Sequence, residues 1–506
     1  MHRSIDMPRA SALPILFLGS VVFYFILIYP VPAESIFDRY FSGSHAYIEL
    51  SQDEITDTSK FESELELRGR FDRFSSFIRM TNDKPFAFQR EDFKIDKRGL
   101  RYELNDDWNV SLGDYAAVFG RGLALNAVEQ RAVDRDAMLD GAMVDGGIGP
   151  ADLVIFWGQH KSVKPDFYVG GVNTLAGEKA DELYGGRITY DFGDIDLGAS
   201  CIRTRISNED SLDPKNVIES DLAWEIANIS LYCETAWFNR DEPEGAEDNL
   251  DGTGTLAEIQ YAEGGFSTLA SWVRYKKAFF NYAVAPSLKR FEVDHSDADP
   301  EDEAGYKLDV TYSPPAWGGH TIHALYTDLN GIENKKKKFE NIFIEYSTPS
   351  IWEWSGTVSY DKIMGLLQFY GGVYGVDHNF RMTLDGPSPI GESFHLSGRY
   401  RLLANRYNYD DESQIGLDLH TSPEFTIGFF REISTRLTEP PPPGMYFISS
   451  KSPKKWDAMF VRWSPDSWNQ FEFLIGSQRG GFQCSGGVCA QLPPFKGAKF
   501  TYYRSL

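Results

Sequence analysis

Apolar and polar residues alternate with a period of two through most of the chain after Phe61. Between Gly305 and Tyr312, the apolar or aromatic Tyr306, Leu308, Val310 and Tyr312 interleave with Lys307, Asp309 and Thr311. Successive side chains of a strand point to opposite faces, so each such segment has one apolar and one polar face. Similar segments include Trp108 to Phe119, Leu183 to Phe192, Ile195 to Arg203, Ser230 to Phe238, Phe339 to Thr348 and Lys499 to Arg504. Many exceed the roughly five or six residues usual in soluble sheets and suit a tilted strand crossing a bilayer. The pattern predicts an all-β fold: a large transmembrane antiparallel β-barrel of roughly 16–20 strands, occupying residues 61–506.

The connections between these segments support that reading. Short turns such as Phe192-Gly193-Asp194 and Glu263-Gly264-Gly265 take turns with long polar stretches such as Arg240 to Gly254 and Thr435 to Lys455. An outer-membrane barrel has this asymmetry, with short periplasmic turns and longer outer loops. Aromatic residues sit near segment ends in pairs: Tyr184 and Tyr190, Trp224 and Tyr232, Trp272 and Tyr282, Trp352 and Tyr360, Tyr400 and Tyr407. They suit the two interfacial girdles of a barrel. The rival reading makes them core or cross-strand aromatics of a soluble β protein. The chain ends in an alternating run, Lys499 to Leu506, as expected of a terminal strand that closes on the first.

The amino terminus differs. Arg3 and Arg9 precede an uncharged apolar run over residues 11–33 that ends in Val31-Pro32-Ala33. This order matches a secretory signal peptide over residues 1–33; the length of the run leaves an uncleaved anchor as the rival. Residues 34–60 then read as an N-terminal periplasmic segment. The rest of the chain has no second long apolar stretch, which excludes a helical membrane bundle.

Composition narrows the partners. The formal charge is −24, from 50 Lys and Arg against 74 Asp and Glu. With no basic stripe to neutralise phosphates, a nucleic-acid partner is excluded. The expected partners are outer-membrane lipid and lipopolysaccharide, the barrel-assembly machinery and other envelope proteins.

One segment breaks the alternation. Residues 111–141 hold Gly113, Gly120 and Gly122 around an aromatic strand end, then a dense run of opposite charges. The lumen or constriction candidates here are Asp114, Arg121, Glu129, Arg131, Asp134, Arg135, Asp136 and Asp140. Opposite charges at this density form a paired network inside a lumen, where unpaired charge is costly. The plainest reading is a charge-paired inward loop that stabilises a wide barrel; a selective constriction is the functional one. A catalytic carboxylate pair is disfavoured, because no nucleophile or His stands near in sequence.

The same segment carries a resemblance. Gly113-Asp114-Tyr115, then Phe119-Gly120-Arg121-Gly122-Leu123, then Leu139 and Gly141 resemble an uncharacterised, domain-of-unknown-function family of porin-like outer-membrane β-barrel proteins from Bacteroidetes and other Gram-negative lineages. Arg121 stands where that family often has a small residue. The likeness covers about residues 100–190 and implies an exported barrel of the bacterial outer membrane. It brings no catalytic residue and no transported substrate.

Four cysteines are the disulfide candidates. Cys484 and Cys489 bracket Ser485-Gly486-Gly487-Val488, a spacing that suits a small closed loop. Cys201 and Cys233 lie in segments separated by a further one, Leu222 to Ile229, so their pairing needs a displaced strand; otherwise each is a small buried residue. No phosphate-binding glycine loop, nucleophile elbow or His-Glu-x-x-His run occurs. No cofactor, metal site or enzymatic activity is therefore expected. The functional expectation is a porin-like channel passing small polar solutes or cations. The alternative is a non-conducting structural or assembly scaffold of an outer-membrane complex.

Overall fold

The computed structural model describes residues 44–53, 58–83, 94–130, 135–136, 138–160, 181–205, 216–239, 251–278, 286, 288, 302–332, 338–367, 373–405, 409–435, 454–478, 481–485, 488–492 and 495–505. The expected signal peptide, residues 1–33, lies outside them.

The strands are β1 (His45–Asp53), β2 (Thr58–Phe71), β3 (Phe74–Asp83), β4 (Lys94–Glu103), β5 (Trp108–Tyr115), β6 (Ala117–Phe119), β7 (Leu125–Ala127), β8 (Glu129–Gln130), β9 (Arg135–Asp136) and β10 (Leu139–Ile148). Then follow β11 (Ala151–His160), β12 (Asp181–Asp191), β13 (Ile195–Arg205), β14 (Asn216–Ile226), β15 (Ile229–Asn239), β16 (Gly252–Glu263), β17 (Phe266–Lys276), β18 (Asp302–Tyr312), β19 (Thr321–Asn330) and β20 (Lys338–Ile351). The last are β21 (Trp354–Leu367), β22 (Val373–Pro387), β23 (Ser393–Asn405), β24 (Tyr409–Ser422), β25 (Phe425–Ser434), β26 (Lys454–Trp463), β27 (Asn469–Gln478), β28 (Gly481–Ser485), β29 (Val488–Leu492) and β30 (Phe495–Ser505).

Of these, 24 form one sheet. Each strand pairs antiparallel with the next in sequence, except that β5 passes to β10 and β27 to β30. β1 then pairs with β30 through all nine of its residues, from His45 opposite Ser505 to Asp53 opposite Gly497, and the sheet closes into a barrel. Among the described residues, closure leaves this 24-stranded sheet without an edge strand, the condition for crossing a bilayer with strands. The sheet has more strands than the 16–20 that the alternation predicts. It also begins earlier: β1 and the start of β2 fall within residues 34–60, expected as a periplasmic segment.

The two faces of the wall differ chemically. Outward positions carry exposed large apolar side chains, among them Ile155, Ile188, Ile218 and Ile344, each about half exposed. A contiguous exposed apolar belt is a liability in water and a requirement in lipid. Aromatic residues mark its two borders. Trp157, Tyr184, Trp237 and Trp272 lie toward the long-loop rim, and Tyr190, Trp224, Tyr312 and Trp463 toward the short-turn rim. Tyr232, expected in a girdle, instead faces inward and donates to Glu234 at 2.9 Å. Tyr282 and Tyr407 lie outside the described residues.

Short connections gather on one rim and most of the long ones on the other, although β18–β19 on the short rim spans 313–320 and β23–β24 on the long rim only 406–408. β2–β3, β10–β11, β14–β15, β16–β17, β20–β21 and β24–β25 are joined by two residues each, on one rim. Ala227, Trp352 and Glu353 adopt positive φ in two of these turns, the backbone twist a tight hairpin needs. The connection from β22 to β23, residues 388–392, belongs to the short rim, because β22 continues to Pro387.

Candidate functional site

The inward face builds the site. β5 and β10 are neighbours, yet residues 116–138 lie between them in sequence. This segment folds into the barrel as two small hairpins, β6–β7 and β8–β9. Each part of the glycine pattern has a place in that path.

At the launch point, Gly113 has φ +85°, and a Cβ there would stand 2.4 Å from the carbonyl oxygen of Arg98. Asp114 follows, buried, and accepts the Arg98 backbone N–H at 2.8 Å. The Tyr115 hydroxyl donates to the Trp157 carbonyl at 3.0 Å, fixing the departing chain to β11. At the return, Gly141 allows close approach of β11, where a Cβ would meet the Trp157 carbonyl at 2.1 Å.

The tip of the first hairpin is Phe119-Gly120-Arg121-Gly122-Leu123. Glu234 of β15, fully buried, receives the Arg121 N–H at 2.7 Å and the Leu123 N–H at 3.0 Å. Two backbone donors with no strand partner are thereby satisfied by one carboxylate. Gly120 has φ +54°, and a Cβ there would come within 2.7 Å of both Glu219 and Glu234. Beside this cap, Arg187 of β12 bridges Glu219 at 3.1 Å and Asp221 at 2.7 Å, and Ser200 donates to Glu219. The Arg121 side chain turns away from the cap, lies over the Tyr232 ring at 5.1 Å, and approaches Glu258 at 3.7 Å.

A dry core holds the hairpin in place. Phe119, Leu123, Leu125 and Ala127 are buried against inward-facing Phe156, Leu183, Ile202, Val217, Leu256 and Val273. These wall residues lie in the part of the barrel nearer the long loops. Burying one such Leu or Phe side chain stabilises the folded state by about 1.5–3 kcal/mol.

The second hairpin is held by charge. Glu129 sits 2.6 and 3.0 Å from the two Nη atoms of Arg79 and 3.1 Å from Lys97, on β3 and β4. Arg79 also contacts Glu66 of β2 at 2.6 Å. Both wall cations are buried, so the cluster depends on mutual pairing. His45, Glu64 and Glu66 bring three metal-type ligands together at its edge. Arg68 and Arg79 already hold Glu66, so a metal ion would have to displace a guanidinium.

The predicted residues divide accordingly. Asp114, Arg121 and Glu129 belong to this site. Asp140 is directly opposite Asp114 in the β5–β10 register. Arg135 and Asp136 lie in β9, with Asp136 opposite Glu129. Arg131 and Asp134 lie outside the described residues. The wall partners Arg79, Lys97, Arg187, Glu219 and Glu234 were not among the sequence candidates. Glu234 is 113 residues from Arg121, and no local pattern marks it.

The cysteines resolve in part. Cys201 and Cys233 are free, exposed on the outward face of β13 and β15, with β14 between them. They are neither bonded nor buried, which corrects both readings of that pair: the intervening strand keeps them apart and the alternation turns them outward. In β28–β29 the backbones of Cys484 and Cys489 are directly opposite.

No protein-family model and no curated protein matches the sequence. Solved structures do. The chain is similar to an E. coli P pilus tip assembly intermediate, PapC-PapD-PapK-PapG, at 10% identity and a TM-score of 0.52, over 93% of this chain and 62% of that one. It is also similar to the P pilus usher PapC translocation pore at 8% identity and a TM-score of 0.48, over 92% of this chain and 98% of that one. A third likeness is to the siderophore receptor PirA from Pseudomonas aeruginosa, at 9% identity and a TM-score of 0.44, over 92% of this chain and 80% of that one. At such identities the likeness is one of fold. The closed antiparallel sheet, its exposed apolar belt and the likeness to the PapC-containing assembly at a TM-score of 0.52 give the chain the fold of an outer-membrane β-barrel.

Proposed function

We propose that the protein is a porin-like channel of the outer membrane that passes small polar solutes or cations, with residues 116–138 as its constriction. The supporting observation is the anchoring of that segment. A dry core and two polar clusters tie it to the wall from β2 to β17. Farther round, β18 to β27 turn polar and charged side chains inward, including Asp309, Asp377, Arg401, Glu412 and Glu432. Acids outnumber bases among these five, and an acidic lining favours cations. Such a protein would contact lipopolysaccharide at its outer rim and reach the membrane through the barrel-assembly machinery.

The test is conductance of the purified, folded protein in planar bilayers. Steady ion flow with cation preference is expected, and it should change when Arg121 is replaced. Absence of any open state in protein shown to be folded would overturn the reading.

A second reading, a non-conducting scaffold of an outer-membrane complex, draws on strand number. A closed sheet of 24 strands encloses more lumen than a small-solute path requires. The similar PapC was solved together with PapD, PapK and PapG. A closed barrel that co-purifies with envelope proteins would favour this reading.

A further inference from the structure

Two histidines face the lumen on neighbouring strands, near the short-turn rim. His395 of β23 is directly opposite Asp418 of β24, and His420 follows two residues after Asp418 on the same inward face. Directly opposed side chains have Cβ atoms about 5 Å apart. Register alone therefore makes two imidazoles and one carboxylate neighbours. The His395 side chain is 34% exposed, open to the lumen.

Each ring is held through one nitrogen only. His395 Nδ1 stands 2.6 Å from the Asp385 carboxylate on β22, and His420 Nδ1 stands 3.0 Å from the Thr426 hydroxyl on β25. Both rings keep Nε2 for a further partner. An oxygen holding the far nitrogen of an imidazole is the arrangement that orients a metal-ligating histidine. Asp418 is half-buried, and among the described residues no hydrogen bond or ion pair engages it. The charges within its reach are the two histidines and Arg462, which Glu472 holds at 2.8 Å. The Asp418 carboxylate leans over Gly428 of β25, where a Cβ would stand 2.7 Å from its Oδ1.

We propose that His395, Asp418 and His420 bind a divalent transition-metal ion of the Zn²⁺ class through two Nε2 atoms and one carboxylate, with Asp385 and Thr426 as positioning residues. Rotation of the three side chains on a fixed backbone brings them around the ion, Asp418 swinging from Gly428 toward the rings. Imidazole with carboxylate suits zinc and its neighbours, whereas calcium and magnesium take oxygen ligands. Three protein ligands leave a coordination position open, so the ion exchanges with the lumen.

As a stop on a cation path the site deepens, and rests on, the channel reading, but its test needs no ion flow. The folded full-length protein, free of any polyhistidine tag and with its cysteines alkylated, is stripped with EDTA and titrated calorimetrically with ZnCl₂ in detergent. Saturable binding is expected, and excess CaCl₂ should not displace it. His395→Gln, His420→Gln and Asp418→Asn should each weaken it about tenfold or more, and Asp385→Asn, which removes only the orienting carboxylate, about tenfold. His378→Gln, whose residue pairs with Tyr360, should leave it unchanged. Heat-modifiable gel migration verifies that each variant is folded. In the natural protein, Zn²⁺ should protect His395 and His420 from diethyl pyrocarbonate, a readout that needs no variant. No saturable binding, displacement by Ca²⁺, equal affinity in the His395→Gln/His420→Gln double variant, or no protection of the two histidines would overturn the site. Binding to a barrel that never conducts would retain the site and remove the channel.

Discussion

The carboxylate of Glu129 and the guanidinium of Arg79 meet at 2.6 Å across fifty residues of sequence. One sits on the segment inside the barrel, the other on the wall. Arg79 simultaneously holds Glu66, and Lys97 stands 3.1 Å from Glu129 on its other side. The inner segment is thus fastened by a charge cluster at one end and by the Glu234 cap at the other.

Glu129 lies on the inner hairpin, which does not itself span the membrane. Burial alone would raise its pKa, but hydrogen bonds from Arg79 and Lys97 outweigh burial and hold it down to about 2, from an ordinary 4.5. Its contribution, about 1–2 kcal/mol once solvent screening of a half-buried group is allowed for, is therefore fully present above about pH 4.5 and is lost as pH falls through about 2. The difference in unfolding free energy between the natural protein and Glu129→Gln should be flat from pH 5 to 8 and shrink toward zero below pH 3. A difference that instead grows with acid would contradict the pairing.

Gly120→Ala places a Cβ against Glu219 and Glu234 and strains a left-handed backbone position. A cost of about 1–3 kcal/mol is expected. Glu234→Ala, which leaves the Arg121 and Leu123 N–H groups without their acceptor, should cost a similar amount. Denaturant midpoints in detergent measure both.

Ile344 and Glu345 are consecutive residues on opposite faces of β20. Ile344→Arg puts a charge into lipid and should destabilise by about 2–4 kcal/mol. Glu345→Gln, on the lumen side, should change stability by less than about 1 kcal/mol. A larger cost for Glu345→Gln than for Ile344→Arg in refolding titrations into lipid would show that the inside and outside of the wall have been exchanged.

Alkylation of the unreduced, denatured protein followed by mass spectrometry should modify two of the four cysteines, Cys201 and Cys233. Cys484 and Cys489, opposed on a two-stranded hairpin, are expected to react only after reduction. Four modified cysteines without reductant would rule out that disulfide.

The barrel was legible because lipid and lumen impose opposite demands on alternate residues. Tyr306, Leu308 and Val310 on β18 show this without any structure. The early start at His45 was harder to see. Ala46, Ile48 and Leu50 do alternate with polar residues in the sequence, but β2 opens with the polar run Thr58-Ser59-Lys60, and the signal fades there. The glycine pattern at residues 113–122 marked the inner segment correctly as a break. Its wall partners were invisible, since Leu183, Ile202 and Val217 are apolar on the inward face, where alternation predicts polar residues. They are apolar because Leu123 and Leu125 pack on them. Tyr232 was misplaced for a related reason: an aromatic near a strand end is the same letter whether it anchors in lipid or hydrogen-bonds to a buried acid.

Among the described residues, β30 alone bridges β27 and β1. Until residues 495–505 have been exported, two open rims of backbone remain. Closure of the cylinder must therefore wait for this strand. A nonsense mutation shortly before residue 495 would yield a species that keeps nearly all its lipid-facing surface yet cannot seal, a natural substrate for envelope proteases.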